Sequence, residues 1–352
     1  MDLKVFVKAI AATLFFVVVL LSLTVGVVAW WSWGKVTAFT TPAQISVDEL
    51  LATVVAGWYR TPTQTNNRVN FLILGLDTLE LRTSPPLTDT MMLVSVDLNS
   101  GQISSLPFPR DLWNDIYQTR INALYFYGLE RYPGDPERFP REVLWEMTNV
   151  PIHHTIVLSL SEVAEVIDIL GGLPVTVPTA FTDTTFPRPN VDVAVERDPA
   201  KLYQTVEFQT GPQVFTGERA LQYIRSRHSE GEEGGDGARS VRQQLVLFAL
   251  MERIQDPQLL SNPTVMGTLF RYYVDHWQQY LSVPELISLA KALRPYQASI
   301  AFSTQQLPVY PEDPQGVVFH PPLSATNNQW IYRVRNAELF ATTVRKSLGL
   351  EP

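Results

Sequence analysis

The chain has 352 residues, a formal charge of −8 and no cysteine, a length that suits one large domain plus a short extra segment. Its acidic balance, with a pI of about 5.2, excludes a broad electrostatic grip on nucleic acid. The missing cysteines exclude disulfides, thiolate catalysis and thiolate metal centres. From Ala9 to Gly34 there is no charged residue, a run of roughly 25 residues and so enough to cross a bilayer with some tilt. Lys4 and Lys8 precede it, and Trp30, Trp31 and Trp33 close it as an interfacial aromatic belt. The positive-inside rule then places the tail in the cytoplasm and everything after Lys35 outside, on a single-pass cell-membrane anchor spanning residues 1–34. A cleaved signal peptide, cut near Val27-Val28-Ala29, is the rival reading. The run exceeds the roughly 7–15 apolar residues of a signal core, which favours the anchor.

Residues 35–68 read as a juxtamembrane segment: Val47–Trp58 has helical apolar spacing, and Arg60–Asn67 is a polar linker. The main domain starts near Val69 and runs over 69–352. Val69–Leu74, Met91–Val96 and Ile103–Leu106 have strand character, and the turn formers Asp97-Leu98-Asn99-Ser100-Gly101 join the last two as a hairpin. Helices are expected over Ile121–Tyr127 and Arg141–Thr148, then a strand at Thr155–Leu158. A helix follows over Ser161–Leu170, with Ser161 as N-cap and Gly171-Gly172 as its stop. Val175–Val177 is a further strand, and Thr179–Thr210 reads as irregular and proline-rich. Thr216 caps a helix to about Arg225. The acidic loop Ser229–Gly237 leads into a helix over Ala238–Gln255, whose second half is apolar nearly all round and therefore expected to be buried. Further helices are expected at Val265–Leu281, Pro284–Leu293 and Ala337–Leu348.

Folding the hairpin about Asn99 and Ser100 brings Asp89, at the start of one strand, beside Arg110 at the end of the other. Asp77 closes the preceding strand and reaches the same edge if that strand runs antiparallel. Paired carboxylates are the oxygen ligands that magnesium prefers, although strand-end aspartates also cap turns. Asp97 and Asp111 read as turn and helix caps. Arg225 and Arg227 leave one helix, while Arg239, Arg242 and Gln243 share a face of the first turns of the next. Guanidinium groups bind phosphate bidentately, and a helix N-terminus favours an anion. A solvated basic face, offset by Glu230, Glu232, Glu233 and Asp236, is the other reading. His153-His154 lacks partners at metal spacing and reads as structural. No HExxH, GxSxG or P-loop spacing occurs.

In order, GLD, TDTMMLVSVD, PFPRD, RINALYFYG, GGLPVTVP, LQYIRSRH and DGARSVRQQ resemble the LytR–CpsA–Psr family of bacterial envelope proteins. The resemblance implies a three-layer α/β/α domain with a central mixed sheet behind one N-terminal transmembrane helix. It also implies a long apolar tunnel for a polyprenyl chain, with a (pyro)phosphate head group and Mg2+ at its mouth. Carried over by motif, Asp77 and Asp89 would bind Mg2+. Arg110, Arg225, Arg227 and Gln243 would hold the pyrophosphate, with Arg120 in place of the usual lysine and Arg239 and Arg242 as the arginines before the glutamines. Leu79 and Leu87 stand where the family commonly carries arginine, and Arg82 is the nearby residue that could compensate.

The implied activity is transfer of a glycopolymer phosphate from an undecaprenyl-diphosphate carrier to peptidoglycan or a related wall glycan, as in teichoic acid or capsule attachment. Two other classes stay open. A pyrophosphatase would use the same site with water as acceptor, and a non-catalytic, membrane-tethered binder would keep the lipid site without turnover.

Overall fold

The computed structural model describes residues 33–76, 86–188, 191, 195–229, 233–297 and 299–351. The expected anchor therefore lies outside the described residues, and among these no helix is long and apolar enough to cross a membrane. Residues 33–43 are helical. Helix α1 (Val47–Tyr59) follows, closed at its start by a capping box in which Ser46 and Glu49 satisfy each other's backbone amides.

Strands β1 (Arg68–Leu76), β2 (Thr88–Asp97) and β3 (Gln102–Pro107) form an antiparallel meander. Asp97 sets the turn between β2 and β3: its carboxylate accepts the Asn99 amide at 2.8 Å, and its carbonyl accepts Gly101 N–H at 2.9 Å. Gly101 takes φ +73°, which glycine adopts without a Cβ penalty. Val96 pairs with Ile103 and Leu93 with Leu106, so the hairpin folds about Asn99 and Ser100 as its sequence indicates. Next come α2 (Leu124–Arg131), α3 (Arg138–Thr148) and β4 (His154–Ser159), the last parallel to β1. Helix α4 (Leu160–Ile169) is capped by Ser159, not Ser161, because Glu162 closes a capping box on Ser159.

Strand β5 (Leu173–Val177) leads into the stretch read as irregular. It contains instead a two-stranded ribbon, β6 (Phe181–Pro187) with β7 (Tyr203–Phe208). Phe181, Asp183, Phe186, Val206 and Phe208 all turn inward there. Strand β8 (Gly211–Phe215) returns to pair with β5, and α5 (Gly217–Arg225) and α6 (Gly235–Ile254) follow. The second half of α6 is not buried as its sequence suggests, since Phe248 and Ile254 are exposed. Helices α7 (Pro263–His276) and α8 (Val283–Leu293), strand β9 (Ala301–Thr304) and helix α9 (Ala337–Ser347) complete the domain.

The main sheet has the order β9-β3-β2-β1-β4 and is mixed, as expected of this α/β class. Period-two alternation along β1 sends Leu72, Leu74 and Leu76 to one face, against Leu124, Val143, Leu144, Phe340 and Val344 from α2, α3 and α9. Val69, Phe71 and Ile73 go to the other, against Leu281 and the α8 residues Leu289 and Leu293. Helices thus cover both faces. A second core joins α4, α5 and α6 to the strands between them through Ile167, Phe181, Phe208, Phe215 and Tyr223.

The polar linker is docked onto the domain. Glu285, buried on α8, accepts the Thr63 amide at 2.6 Å and ion-pairs with Arg60, and His154 stands 3.7 Å away, stacked on Phe71. His153 accepts the Asn70 amide at 2.8 Å and bonds Thr65, so both histidines are structural. Burial pushes both imidazole pKa values down. Against the cost of its own burial, the Thr63 amide and Arg60 hold the Glu285 pKa down. A group whose folded pKa is depressed adds stability above its unfolded pKa, and that stability is lost as pH falls through the folded value. The histidine contribution should therefore fade below about pH 6.5 and that of Glu285 below about 4.3. The melting temperature should fall between about pH 7.5 and about pH 5.5, and less so in His154→Phe, which cannot be protonated. An equal fall in that variant would remove His154 from the account.

Candidate phosphate and metal site

The first half of the site is the open end of the meander. Leu76, the residue before Asp77, pairs with Thr88, the residue before Asp89. At Gly75 the register shifts, and a Cβ there would lie 2.9 Å from the Thr90 Cβ, so this end of the sheet is closed tightly. Continuing the β2–β3 register past Met92 and Pro107 sets Asp89 across from Arg110, whose Nη1 reaches Asp89 Oδ1 at 2.5 Å. Arg110 Nε lies 3.6 Å from Asp111 Oδ2, and Arg120 Nε lies 3.5 Å from Asp111 Oδ1. Asp89, Arg110, Asp111 and Arg120 thus form one chain of alternating charge, and Asp111 does more than cap a turn. Against desolvation, which lowers it, the charges of Asp89 and Asp111 push the Arg110 pKa up.

The second half is the junction between α5 and α6. Thr216 caps α5 by accepting the Arg219 amide at 3.2 Å, and the helix ends at Arg225. The chain then turns past Asp183, a buried carboxylate on β6 that accepts the amides of Arg227 at 3.1 Å and His228 at 3.3 Å. Asp183 thereby fixes the backbone from which Arg227 projects. Arg225 lies over the Phe186 ring at 5.7 Å. One turn into α6, Arg239 and Gln243 project at i and i+4, the spacing that shares a helix face.

These halves meet around a cavity of about 200 Å3. Its wall includes Asp89, Asp183, Arg225, Arg227, Arg239 and Gln243, and His228, Gly75, Thr90, Leu160 and Phe186 are among the residues that share it. Five of the residues expected at a phosphate site are therefore brought together from three distant segments. Arg110 is bonded to the cavity's Asp89, and Arg120 stands two ion pairs further out. Asp77 and Arg82, with Leu79, lie outside the described residues, whereas Leu87 is exposed.

Arg242 departs from the helix face that its spacing shares with Arg239 and Gln243: it is 1% exposed and does not line the cavity. Its Nε donates to the Tyr223 carbonyl at 3.0 Å, and Nη1 donates to the Glu233 carbonyl and carboxylate, each at 3.0 Å. Nη2 donates to the Ser226 carbonyl. Arg242 staples the loop that carries Arg227, and Glu233 turns in to meet it instead of staying solvated. Asp183 was missed altogether. Its signal was the alternation Phe181-x-Asp183, hidden by the prolines and threonines that made the stretch look irregular.

Comparison with known proteins follows the same lines. The profile of the LytR_cpsA_psr family matches residues 40–342. A polyisoprenyl-teichoic acid–peptidoglycan teichoic acid transferase, TagU of Oceanobacillus iheyensis, is 28% identical over 224 residues, 63% of this chain and 61% of that protein. TagV of Bacillus subtilis, named with the same activity, is 27% identical over 191 residues, 53% of this chain and 43% of that one. The chain thus spans about half the length of the curated relatives it matches. The crystal structure of B. subtilis TagV superposes with a TM-score of 0.51 at 19% identity, covering 82% of this chain and all of that one, which shows the shared fold. With a family profile matched from residue 40 to residue 342, the chain belongs to the LytR–CpsA–Psr family.

Proposed function

We propose that this protein is a membrane-anchored, extracytoplasmic phosphotransferase. It would move a glycopolymer phosphate from an undecaprenyl-diphosphate carrier to a hydroxyl of peptidoglycan or a related wall glycan, releasing polyprenyl phosphate. One observation carries the reading: three arginines, a glutamine and two aspartates from separated segments line a single small cavity. Gathering like charges costs free energy, and a bound polyanion offsets it. Two relatives' names as teichoic acid transferases support the same class.

In this reading Arg225, Arg227 and Arg239 donate to the non-bridging oxygens of the diphosphate, and Gln243 adds a neutral donor. The acceptor oxygen forms a bond to the phosphorus that carries the glycopolymer. The bond from that phosphorus to the lipid phosphate oxygen breaks, and arginines near the leaving oxygens stabilise their charge. Asp89 or Asp111, each ion-paired with Arg110, would take the acceptor's proton.

The donor chemistry suits magnesium, which takes one or two carboxylates and completes its shell with phosphate and water. Asp89 is a partly exposed carboxylate on the cavity wall, ion-paired with Arg110, whereas the buried Asp183 accepts two backbone amides. Among the described residues no three His, Cys, Asp or Glu side chains cluster. Asp89, together with Asp77, would therefore hold the ion with substrate oxygens. Bound there, it would neutralise diphosphate charge.

The test is polyprenyl phosphate release by the purified full chain from a lipid-linked glycopolymer, with and without a glycan acceptor. Release that requires the acceptor is expected. Release without it would indicate a pyrophosphatase, and binding without release would indicate a tethered binder, as the leucines at 79 and 87 allow. Arg227→Lys should cut transfer about tenfold or more, because a lysine point charge cannot replace a two-pronged guanidinium worth about 1.4 kcal/mol in the transition state. Arg110→Lys is expected to behave alike. Arg138→Lys, on an exposed i,i+4 pair with Glu142, should be silent. For topology, protease added to intact protoplasts should digest the domain. Protection of the domain would refute the extracytoplasmic reading.

A further inference from the structure

Helix α1 has two faces with opposite surroundings. One is locked onto α8. Gly57 is buried there, and a Cβ at that position would come within 2.6 Å of the Ile287 Cβ, so the helices touch nearly backbone to side-chain root. The lock continues past the helix end. Lys291 donates to the Trp58 carbonyl and, at 3.0 Å, to that of Arg60, while Glu285 holds Arg60 and the Thr63 amide. Whatever orients α1 therefore orients the domain.

The other face is bare and apolar. Leu51, Val54, Val55 and Trp58, at i, i+3, i+4 and i+7, are 57%, 41%, 53% and 50% exposed. Ala52, Ala56 and Tyr59 fill the gaps, also exposed, and no charged residue occurs between Glu49 and Arg60. Spacing of this kind normally marks the stripe by which a helix enters a core. A continuous apolar surface of this kind marks an interaction site.

The chain itself indicates the occupant. Trp33 is exposed near the end of the uncharged run from Ala9 to Gly34, and the helix at 33–43 joins that run to α1. An apolar run of bilayer-spanning length is therefore linked in sequence to the stripe through that one helix and the short turn before α1. The stripe closes in Trp58 and Tyr59, the side chains that favour the membrane–water boundary. We propose that this face of α1 is a membrane-binding surface, seated at the headgroup boundary beside the anchor and holding the catalytic domain in one orientation over the bilayer. The proposal rests on the anchor reading above. Because the stripe's flanks offer Asp48 and Glu49 at one end and Arg60 at the other, with no basic cluster, the attachment depends on apolar area and not on anionic lipid.

The absence of cysteine makes the test direct. An environment-sensitive fluorophore is attached at Leu51→Cys or Val55→Cys, and at Ser100→Cys in the exposed β2–β3 turn as control. The full chain is reconstituted in phosphatidylcholine vesicles with or without phosphatidylglycerol, and flotation of the same samples reports the anchor. The expected result is a blue shift at positions 51 and 55, quenching there by lipid-borne spin labels and shielding from a water-soluble quencher. Position 100 should show the reverse, and phosphatidylglycerol should change neither pattern. A chain that floats while its probes at 51 and 55 remain open to the aqueous quencher overturns the surface and leaves the anchor standing. A chain that does not float overturns both. Shielding without lipid quenching, accompanied by energy transfer between labelled copies, would assign the stripe to a second copy and overturn the membrane assignment.

Discussion

Asp89→Ala is expected to abolish metal-dependent transfer, on the order of a hundredfold or more, equivalent to about 2.7 kcal/mol of transition-state stabilisation. The side chain serves two neighbours in this reading. It supplies a metal oxygen at the cavity wall, and it fixes Arg110 through the 2.5 Å ion pair. Removing it leaves the Arg110 guanidinium to Asp111 alone, beside a cavity lined by three arginines. The fold should survive, because Asp89 is a part-exposed strand-end residue and pairs of that kind contribute about 1 kcal/mol or less. Transfer rate and melting temperature measured on the same preparation separate the two effects. Asp89→Asn should also lose transfer, since its amide keeps the shape but not the charge. Retained magnesium affinity in Asp77→Ala/Asp89→Ala would falsify the metal assignment, and a wild-type rate in Asp89→Ala would remove this residue from the chemistry.

Arg242→Met should behave in the opposite way, losing stability first and activity as a consequence. The guanidinium is buried and answers three carbonyls and the Glu233 carboxylate. Taking it away leaves those acceptors unsatisfied and a carboxylate without its partner, a loss of about 3–5 kcal/mol. For a domain of this size that corresponds to a fall in melting temperature on the order of 10 °C. Arg242→Lys should not rescue it, because one ammonium cannot span a fan of four acceptors. If Arg242 instead gripped the diphosphate, the methionine variant would melt normally and lose transfer alone. Circular dichroism melts and the transfer assay decide between these outcomes.

Much of the candidate site was legible because it depends on local rules. Turn chemistry at Asp97–Gly101 and strand alternation set the β2–β3 register, and that register alone predicts Asp89 beside Arg110. Helix ends were readable where a capping side chain was unambiguous, as at Thr216, and shifted by two residues where Ser159 and Ser161 competed. There the deciding fact was Glu162, three residues after Ser159, which completes a reciprocal box that Ser161 cannot make.

What the sequence by itself determined is therefore the inventory and the local geometry: the hairpin, the capped helices, the order of strands and helices and a set of arginines at spacings that suit an anion. Tertiary structure alone decided which of those arginines line the cavity. Positions 239, 242 and 243 lie within about 100° of one another around a helix, so their spacing permits all three to share a face. The rotation at which α6 docks against Tyr223 and Phe181 turns Arg242 inward to the loop carbonyls and leaves Arg239 and Gln243 on the cavity wall. The same holds for Asp183, whose worth comes from amides 44 and 45 residues away in sequence. Neighbours along the chain set turns and caps, but which side of a helix or ribbon is buried is set by the surface that packs against it, and that surface comes from elsewhere in the sequence.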